Sequence, residues 1–136
     1  MLPEVCINAD GGARKNPGPA AIGFIICDKD RNSLEVHKEC IGEATNNEAE
    51  YRALIKALQY ATKHTRDTVQ IFMDSELVIR QMNGKYKIKA QNLFTLFQEA
   101  KNREKSFKKV VYNYVTRNNK FQVQADKLVN EALDNL

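Results

Sequence analysis

The run of residues 20–28, AAIGFIICD, constrains the fold most, because a strand with this sequence is apolar on both of its faces. Residues 4–10, EVCINAD, and residues 33–42, SLEVHKECIG, predict further strands before and after it, since both contain residues that strands favour. The DGG that ends the first pattern predicts a turn, and KDRN at residues 29–32 predicts a hairpin. The chain is therefore predicted to open with an antiparallel meander.

Helix and strand patterns alternate in the rest of the chain. Helices are predicted for residues 46–63, 75–84, 92–105 and 123–133, and strands for residues 68–74 and 108–117. The order β-β-β-α-β-α-α-β-α predicts an α/β domain (α+β in some schemes) in which helices flank a mixed sheet. A length of 136 residues fits one domain, so residues 1–136 are predicted to form a single unit.

The cysteines and the charge balance narrow the class of protein. Cys6, Cys27 and Cys40 each lie in an apolar strand pattern without a C-x-x-C pair, which predicts buried, reduced thiols. His37 and His64 lack the spacing of zinc ligands. No apolar run approaches the roughly 20 residues of a membrane span, and no signal-peptide pattern opens the chain, so we expect a cytoplasmic protein. A net charge of +4 is compatible with a polyanionic partner but does not establish one.

The stretch TNNEAEY holds two glutamates, Glu48 and Glu50, that a helix directs to different sides. The face of Glu48 carries polar residues, Arg52, Lys56, Gln59 and Lys63. The face of Glu50 carries apolar residues, Ala53, Leu54, Ala57, Leu58 and Ala61. Glu48 is therefore predicted to face water and to pair with Arg52. Glu50 is predicted to point toward the sheet, where an unpaired carboxylate is costly.

Two frames for the start of this helix are compatible with the sequence. In the frame that we favour, Thr45 is the N-cap and Glu48 completes a capping box. In the rival frame, Asn47 is the N-cap and Glu50 has the structural role. The frame decides which of the two glutamates is free for chemistry.

Three aspartates are candidates to join Glu50 around a cation. Asp10 is predicted to end the first strand, Asp74 to end the fourth, and Asp126 to lie in the last helix. Each also has an ordinary structural explanation, as a turn residue, an N-cap and a helix N-terminal acid respectively. Together, oxygen ligands without clustered His or Cys favour a hard cation such as Mg²⁺ or Mn²⁺. Two such ions among carboxylates suit phosphodiester cleavage.

Four segments occur in the order of a known family: INADGGARKNPGPAAIGF, TNNEAEYRALIKAL, IFMDSELVIRQMNGKYKIK and QADKLVNEAL. In these the chain resembles ribonuclease H type 1, most closely the compact subgroup called ribonuclease H-like or reverse-transcriptase-like. The resemblance implies the ribonuclease H-like fold, a five-stranded mixed sheet in the order 3-2-1-4-5. It also implies a metal-dependent endonuclease that hydrolyses the RNA strand of RNA–DNA hybrids and leaves 5′-phosphate and 3′-hydroxyl ends.

The resemblance implies a catalytic and metal-binding set of Asp10, Glu50, Asp74 and Asp126 around two Mg²⁺ or Mn²⁺ ions. Asp10 would bridge the ions, and Asp126 would help hold the ion that activates water. Glu50 and Asp74 would hold the ion at the leaving 3′ oxygen. The implied partner is an RNA–DNA hybrid bound by a monomer, with double-stranded RNA as a further candidate.

The resemblance also implies a set of substrate contacts. Backbone amides of Gly11 and Gly12 would meet the hybrid, and Thr45 would meet a phosphate of the DNA strand. The side chains implied in the minor groove are Asn16, Asn46, Asn47 and Glu76. Helix-start chemistry explains Asn46 and Asn47 equally well from the sequence. The lysines of GKYKIK, which are Lys85, Lys87 and Lys89, are either phosphate contacts or part of a solvated connector.

Three features depart from the family pattern. The chain has no tryptophan and only a short connector where larger members carry a basic extra helix. No histidine lies in the loop before Asp126, and Tyr114 is nearest to its usual place. The segment from Arg117 to Asp126 is about two residues longer than is common in the subgroup. A weakly active or inactive binding module on the same fold is the alternative, and the presence of all four acids favours the enzyme.

Overall fold

The computed structural model describes residues 1–136. In chain order its elements are β1 (Leu2–Ala13), β2 (Gly18–Asp28), β3 (Ser33–Ala44), α1 (Asn46–Ala61), β4 (Thr65–Met73), α2 (Glu76–Met82), α3 (Gln91–Glu104), β5 (Lys109–Tyr114) and α4 (Gln122–Asp134). One sheet contains all five strands in the order β3-β2-β1-β4-β5. The first three strands are antiparallel, and β4 lies parallel to both β1 and β5. The predicted element order, strand order and mixed sheet are confirmed.

The two faces of the sheet are covered unequally. On one face α1 packs on β1 and β2 and also contacts α2 and α3, which encloses a core of 23 buried residues. On the other face α4 alone packs on β1, β2 and β3, around a cluster of 4 buried residues. Cover on both faces explains why residues 20–28 are apolar on both sides: Ile22 belongs to the large core and Ala21 to the small cluster.

Each helix layer approaches the sheet over a glycine. A Cβ atom on Gly11 would lie 2.2 Å from the Ala49 carbonyl oxygen of α1. A Cβ atom on Gly23 would lie 2.7 Å from Leu128 Cβ and 3.0 Å from the Ala125 carbonyl oxygen of α4. No side chain fits at either strand position while the helices keep these distances.

The end of the first strand differs from the prediction. β1 continues past Asp10 to Ala13, which pairs with Ala20 of β2, so the predicted turn at DGG is wrong. Asp10 instead pairs with Gly23 inside the ladder. Gly11 serves the close approach of α1 rather than a turn, which is why sequence rules for turns misread it.

The end of α2 agrees with the prediction. Gly84 has a φ of +74° directly after the C-cap Asn83, a conformation that favours glycine.

The long helix α1 ends at Ala61, two residues before the predicted end. No helix in the structure has the length and apolar character needed to cross a membrane.

The cysteines are free thiols, but only two of them are buried. Cys6 and Cys27 are buried and lie opposite each other on β1 and β2. Cys40 is exposed, so the prediction that it is buried is wrong. β3 is an edge strand, and α4 covers only part of the face on which Cys40 lies; its thiol donates to the Ala132 carbonyl at 3.2 Å.

Candidate functional site

Three carboxylates converge at one edge of the sheet. Asp10, Glu50 and Asp74 each offer an oxygen, and these oxygens lie within 4.8 Å of one another. Asp10 is buried on β1, and Asp74 directly follows β4, the parallel neighbour of β1. Glu50 comes from the first turns of α1. Residues far apart in the sequence thus form one acidic group.

The start of α1 resolves the two possible frames. Thr45 is the N-cap: its hydroxyl accepts from the Glu48 amide at 3.1 Å, and the Glu48 carboxylate accepts from the Thr45 amide at 2.8 Å. The capping box is therefore confirmed, and the rival frame with Asn47 as N-cap is wrong. Glu48 is occupied in closing the helix, which leaves Glu50 to face the sheet.

The predicted faces of α1 are confirmed, with one exception in detail. The apolar face is buried throughout: Ala53, Leu54, Ala57, Leu58 and Ala61. Glu48 and Arg52 do not form a direct ion pair, although the Arg52 charge is one of the groups that lower the pKa of Glu48, after its hydrogen bonds with Thr45 and Asn92. Arg52 instead donates to the Ile41 carbonyl at 3.2 Å, and Glu48 accepts from the Asn92 side chain at 3.1 Å. Tertiary partners from β3 and α3 replace the local pair.

A backbone amide holds Glu50 in place. The Gly11 N–H donates to Glu50 Oε1 at 2.7 Å, across the contact where the glycine lets α1 approach β1. This amide was predicted to meet a nucleic acid, but in the structure it is bound to Glu50. The same glycine therefore allows the close approach and supplies a donor that orients the carboxylate.

Asp74 and Asp126 complete the acidic edge from two further elements. Ser75, not Asp74, is the N-cap of α2, with its hydroxyl accepting from the Val78 amide at 3.3 Å, so Asp74 is free of capping. Asp126 lies beyond the first turn of α4, and the Asn130 amide group donates to its carboxylate at 3.3 Å. Asp126 lines the same cleft but lies outside the tight group of three.

Crowding of these acids changes their ionisation. Burial, reinforced by Asp74 and Asp126, raises the pKa of Asp10 to about 8. Burial together with Asp10 and Asp74 raises the pKa of Glu50 well above its usual range, and burial also raises the pKa of Asp74. A cation would offset this repulsion, and every available ligand is a carboxylate oxygen. The residues therefore fit a hard divalent cation.

The acids line a cleft of about 450 Å³. Its remaining wall includes Gly12, Arg14, Asn46, Tyr114, Arg117 and Asn130. Arg117, which sequence reasoning did not single out, supplies positive charge that opposes the rise in the pKa of Asp74. Arg117 lies in the loop where the family places a histidine, and this position is the sequence feature that could have predicted a role for it. Arg14 also lines the cleft and forms an ion pair with Asp134.

The predicted substrate residues near α1 form a bonded group. The Asn46 side-chain oxygen accepts from the backbone N–H of Ala13 at 2.8 Å. The backbone N–H of Asn46 donates to the Asn16 side-chain oxygen at 2.9 Å. Thr45 caps the helix, and Asn47 is exposed beside it. Gly12 and Asn46 line the cleft, whereas Asn16, Thr45 and Asn47 lie outside its lining.

Glu76 and the three lysines lie away from that lining. Glu76 accepts from Arg80 at 2.9 Å and from the Tyr86 hydroxyl at 3.3 Å. Lys85, Lys87 and Lys89 are exposed and form no ion pair, while Ile88 between them packs on the core. The connector is thus anchored through Tyr86 and Ile88, and its three lysines are unpaired cations.

The ribonuclease H class of folds is defined by this sheet order and by the placement of its acids. Here the acids come from β1, α1 and the end of β4 at one edge of the sheet, with a further acid on α4. The family model described as "Reverse transcriptase-like" matches residues 8–132 of this chain. The chain belongs to this family and is a ribonuclease H-like domain.

Known relatives agree with that assignment. The chain is 41% identical over 132 residues to the bifunctional protein Rv2228c of Mycobacterium tuberculosis, and the match covers 96% of this chain and 36% of that protein. The crystal structure of RNase H1 from Halobacterium salinarum matches with a TM-score of 0.92 at 35% identity, over 98% of this chain and 99% of that one. LC11-RNase H1 in complex with an RNA/DNA hybrid matches with a TM-score of 0.88 at 41% identity, over 96% and 97%. The chain thus spans about a third of the length of the mycobacterial relative.

Proposed function

We propose that this chain is a ribonuclease H that hydrolyses the RNA strand of RNA–DNA hybrids with the help of divalent metal ions. The observation that carries the proposal is the convergence of Asp10, Glu50 and Asp74 within 4.8 Å on a ribonuclease H-like fold. Relatives named ribonuclease H, and the relative solved with an RNA/DNA hybrid, support it.

Two ions, Mg²⁺ or Mn²⁺, would be held by Asp10, Glu50, Asp74 and Asp126. When bound, such a pair activates water and stabilises the leaving oxygen of an in-line displacement. The raised pKa of Asp10 means that its carboxyl must lose a proton before it can bind an ion at neutral pH. Asn130, which also lines the cleft, restrains Asp126 through its hydrogen bond. The products would carry 5′-phosphate and 3′-hydroxyl ends.

Polar groups around the cleft are proposed to read the hybrid. An RNA strand is distinguished by its 2′-hydroxyl, which both donates and accepts hydrogen bonds. Gly12 and Asn46 are the proposed contacts inside the cleft, and Asn16, Asn47 and Glu76 are proposed contacts outside its lining. Thr45 and the free cations Lys85, Lys87 and Lys89 are proposed to meet phosphates, which makes binding salt-dependent.

Incubation with a labelled hybrid tests the proposal. We expect cleavage of the RNA strand with Mg²⁺ or Mn²⁺, none with a chelator, and none of the DNA strand. A parallel reaction with double-stranded RNA measures the breadth of the substrate. Salt-dependent hybrid binding without cleavage, at high enzyme concentration with either metal, would show the binding module instead.

A further inference from the structure

A chain of buried polar side chains connects the start of α4 to β1. The Gln122 amide group donates to the Ala9 carbonyl at 2.8 Å and accepts from the Asn8 side chain at 3.1 Å. Asn8 in turn accepts from the Arg31 guanidinium at 2.9 Å. Gln122 is 0% exposed and Asn8 is 3% exposed, so these bonds form without competing water.

The two ends of this connection lie next to two of the acids. Ala9 directly precedes Asp10, so Gln122 holds the carbonyl of the peptide bond that leads into Asp10. Gln122 also lies four residues before Asp126, which is about one helical turn. A single side chain therefore links the peptide before one acid to the turn before the other.

Apart from the ring of Phe121, which packs on the Arg31 guanidinium, few contacts fix this end of α4. The N-cap position, Phe121, makes no side-chain capping bond, and the apolar cluster under the helix has only 4 buried residues. The Asn119 side chain accepts from the backbone amides of Phe121 and Gln122, which ties the loop to the first residue of α4 but forms no hydrogen bond to a strand. The link between Gln122 and β1 is thus the buried polar restraint on this end of the helix.

Arg31 holds the far end of the connection. Its guanidinium lies between the rings of Phe72 and Phe121, at 4.7 and 4.2 Å from their centroids. Such cation–π contacts stabilise a partly buried guanidinium in one orientation. The hairpin between β2 and β3, which takes no part in the cleft, therefore supports Asn8 and through it Gln122.

We infer that Gln122, backed by Asn8 and Arg31, is a positioning residue that sets the place of Asp126 relative to Asp10. This inference rests on the proposed function, because the distance between two acids matters most when they share metal ions. Mg²⁺ requires near-ideal octahedral geometry, so a small shift of α4 weakens its binding. Groups that hold metal ligands in place typically change metal affinity about 10- to 100-fold when removed.

The test uses Gln122→Met, which keeps the size of the side chain but removes both hydrogen bonds. Its matched control is Thr65→Val. Thr65 is also buried and donates to a carbonyl of β1, that of Leu2 at 2.7 Å, but at the end of the strand remote from the acids. Both variants are expected to lower the melting temperature of the metal-free protein.

Two readouts separate positioning from stability. The first is the Mn²⁺ concentration that gives half of the metal-induced rise in melting temperature. The second is the Mn²⁺ concentration for half-maximal cleavage, measured well below the melting temperatures. For Gln122→Met we expect both to rise about tenfold, with the cleavage rate recovering at high metal. For Thr65→Val we expect both to match the unmodified chain.

Equal metal midpoints for Gln122→Met and the unmodified chain would overturn the inference. If Gln122→Met does not fold, Arg31→Met replaces it, because Arg31 is only half-buried, in a hairpin. Its midpoints should rise in the same direction by a smaller factor, and unchanged midpoints there would also overturn the inference. If the unmodified chain shows neither a thermal response to metal nor cleavage, the proposed function fails, which is a distinct result.

Discussion

The two faces of the sheet hold their share of the acids by different means. On the α1 face, a core of 23 buried residues and the Gly11 amide hold Glu50. On the α4 face, a cluster of 4 buried residues and a polar connection through Gln122 hold the helix that carries Asp126. Apolar burial is non-directional, whereas hydrogen bonds are directional. The thinner face therefore depends on directional contacts to keep its acid in place.

The largest effect that we expect comes from Glu50→Gln on the α1 face. The substitution removes a carboxylate from the group of three while keeping its shape, so cleavage of a labelled hybrid should be lost. Stability should be unchanged or slightly higher, because the variant relieves repulsion with Asp10 and Asp74. Thermal melting checks the fold, and retained cleavage would show that Glu50 has no role in the reaction.

Truncation of one leucine on each face compares the two cores directly. Leu54→Ala opens a cavity in the large core and should cost about 4 kcal/mol of unfolding free energy. Leu133→Ala, in the small cluster, should cost about 2 kcal/mol, because its surroundings can collapse more easily. Denaturant unfolding measures both. Equal costs would mean that the two faces are packed equally well.

The glycines under the two helices offer a second matched pair. In Gly11→Ala the new methyl group would lie 2.2 Å from the Ala49 carbonyl oxygen, which is a backbone atom and cannot rotate away as a side chain can. We therefore expect a loss of about 3 kcal/mol of unfolding free energy, together with displacement of Glu50. In Gly23→Ala the new methyl group meets Leu128 Cβ at 2.7 Å and the Ala125 carbonyl oxygen at 3.0 Å, so α4 must shift as a whole. Because these contacts are less close, we expect a smaller loss of about 2 kcal/mol. Chemical denaturation together with the cleavage assay checks the pair. A larger loss for Gly23→Ala would reverse the ranking of the two faces.

The dependence of stability on pH tests how the acids from the two faces interact. Folding raises the pKa of Asp10 from 3.8 to about 8, so the folded state retains a proton that the unfolded chain has lost. The metal-free protein should therefore lose stability as the pH rises from about 4 to about 8, by on the order of a few kcal/mol. Asp10→Asn should reduce this dependence without abolishing it, because burial also raises the pKa values of Glu50 and Asp74. Mg²⁺ at pH 8 should reverse the loss in the unmodified chain. Thermal melting at both pH values, with and without metal, gives the comparison.

The smallest effect is expected for Glu48→Gln, two residues from Glu50. This change weakens the capping box and should cost about 1 kcal/mol or less. Cleavage should continue, because Glu48 faces away from the acidic group. Loss of activity in this variant, measured beside Glu50→Gln, would mean that the roles of the two glutamates are reversed.

Sequence reasoning succeeded where the physics is local. The capping box, the two faces of α1 and the end of α2 at Gly84 depend on residues within one or two turns of each other. The convergence of Asp10, Glu50 and Asp74 was expected from the predicted strand order, but the order itself came from a resemblance rather than from periodicity.

Prediction from the sequence failed where the local structure depends on a partner residue that is distant along the chain. β1 continues beyond Asp10 because β2 pairs with Gly11 and Gly12, and no turn rule contains that partner. Cys40 is exposed because α4 covers only part of β3. The role of Gln122 could not be predicted, because its contacts lie 113 and 114 residues away.

Those sequence separations also determine when the site can form during synthesis. The contacts between Gln122 and β1 join residues that lie 113 and 114 positions apart, so they close a long loop. β1, β2 and β3 can pair early, but Gln122 can reach Ala9 only after the start of α4 has itself left the ribosome. A nascent domain therefore carries three of its acids well before the fourth, and the complete set is a late product of folding.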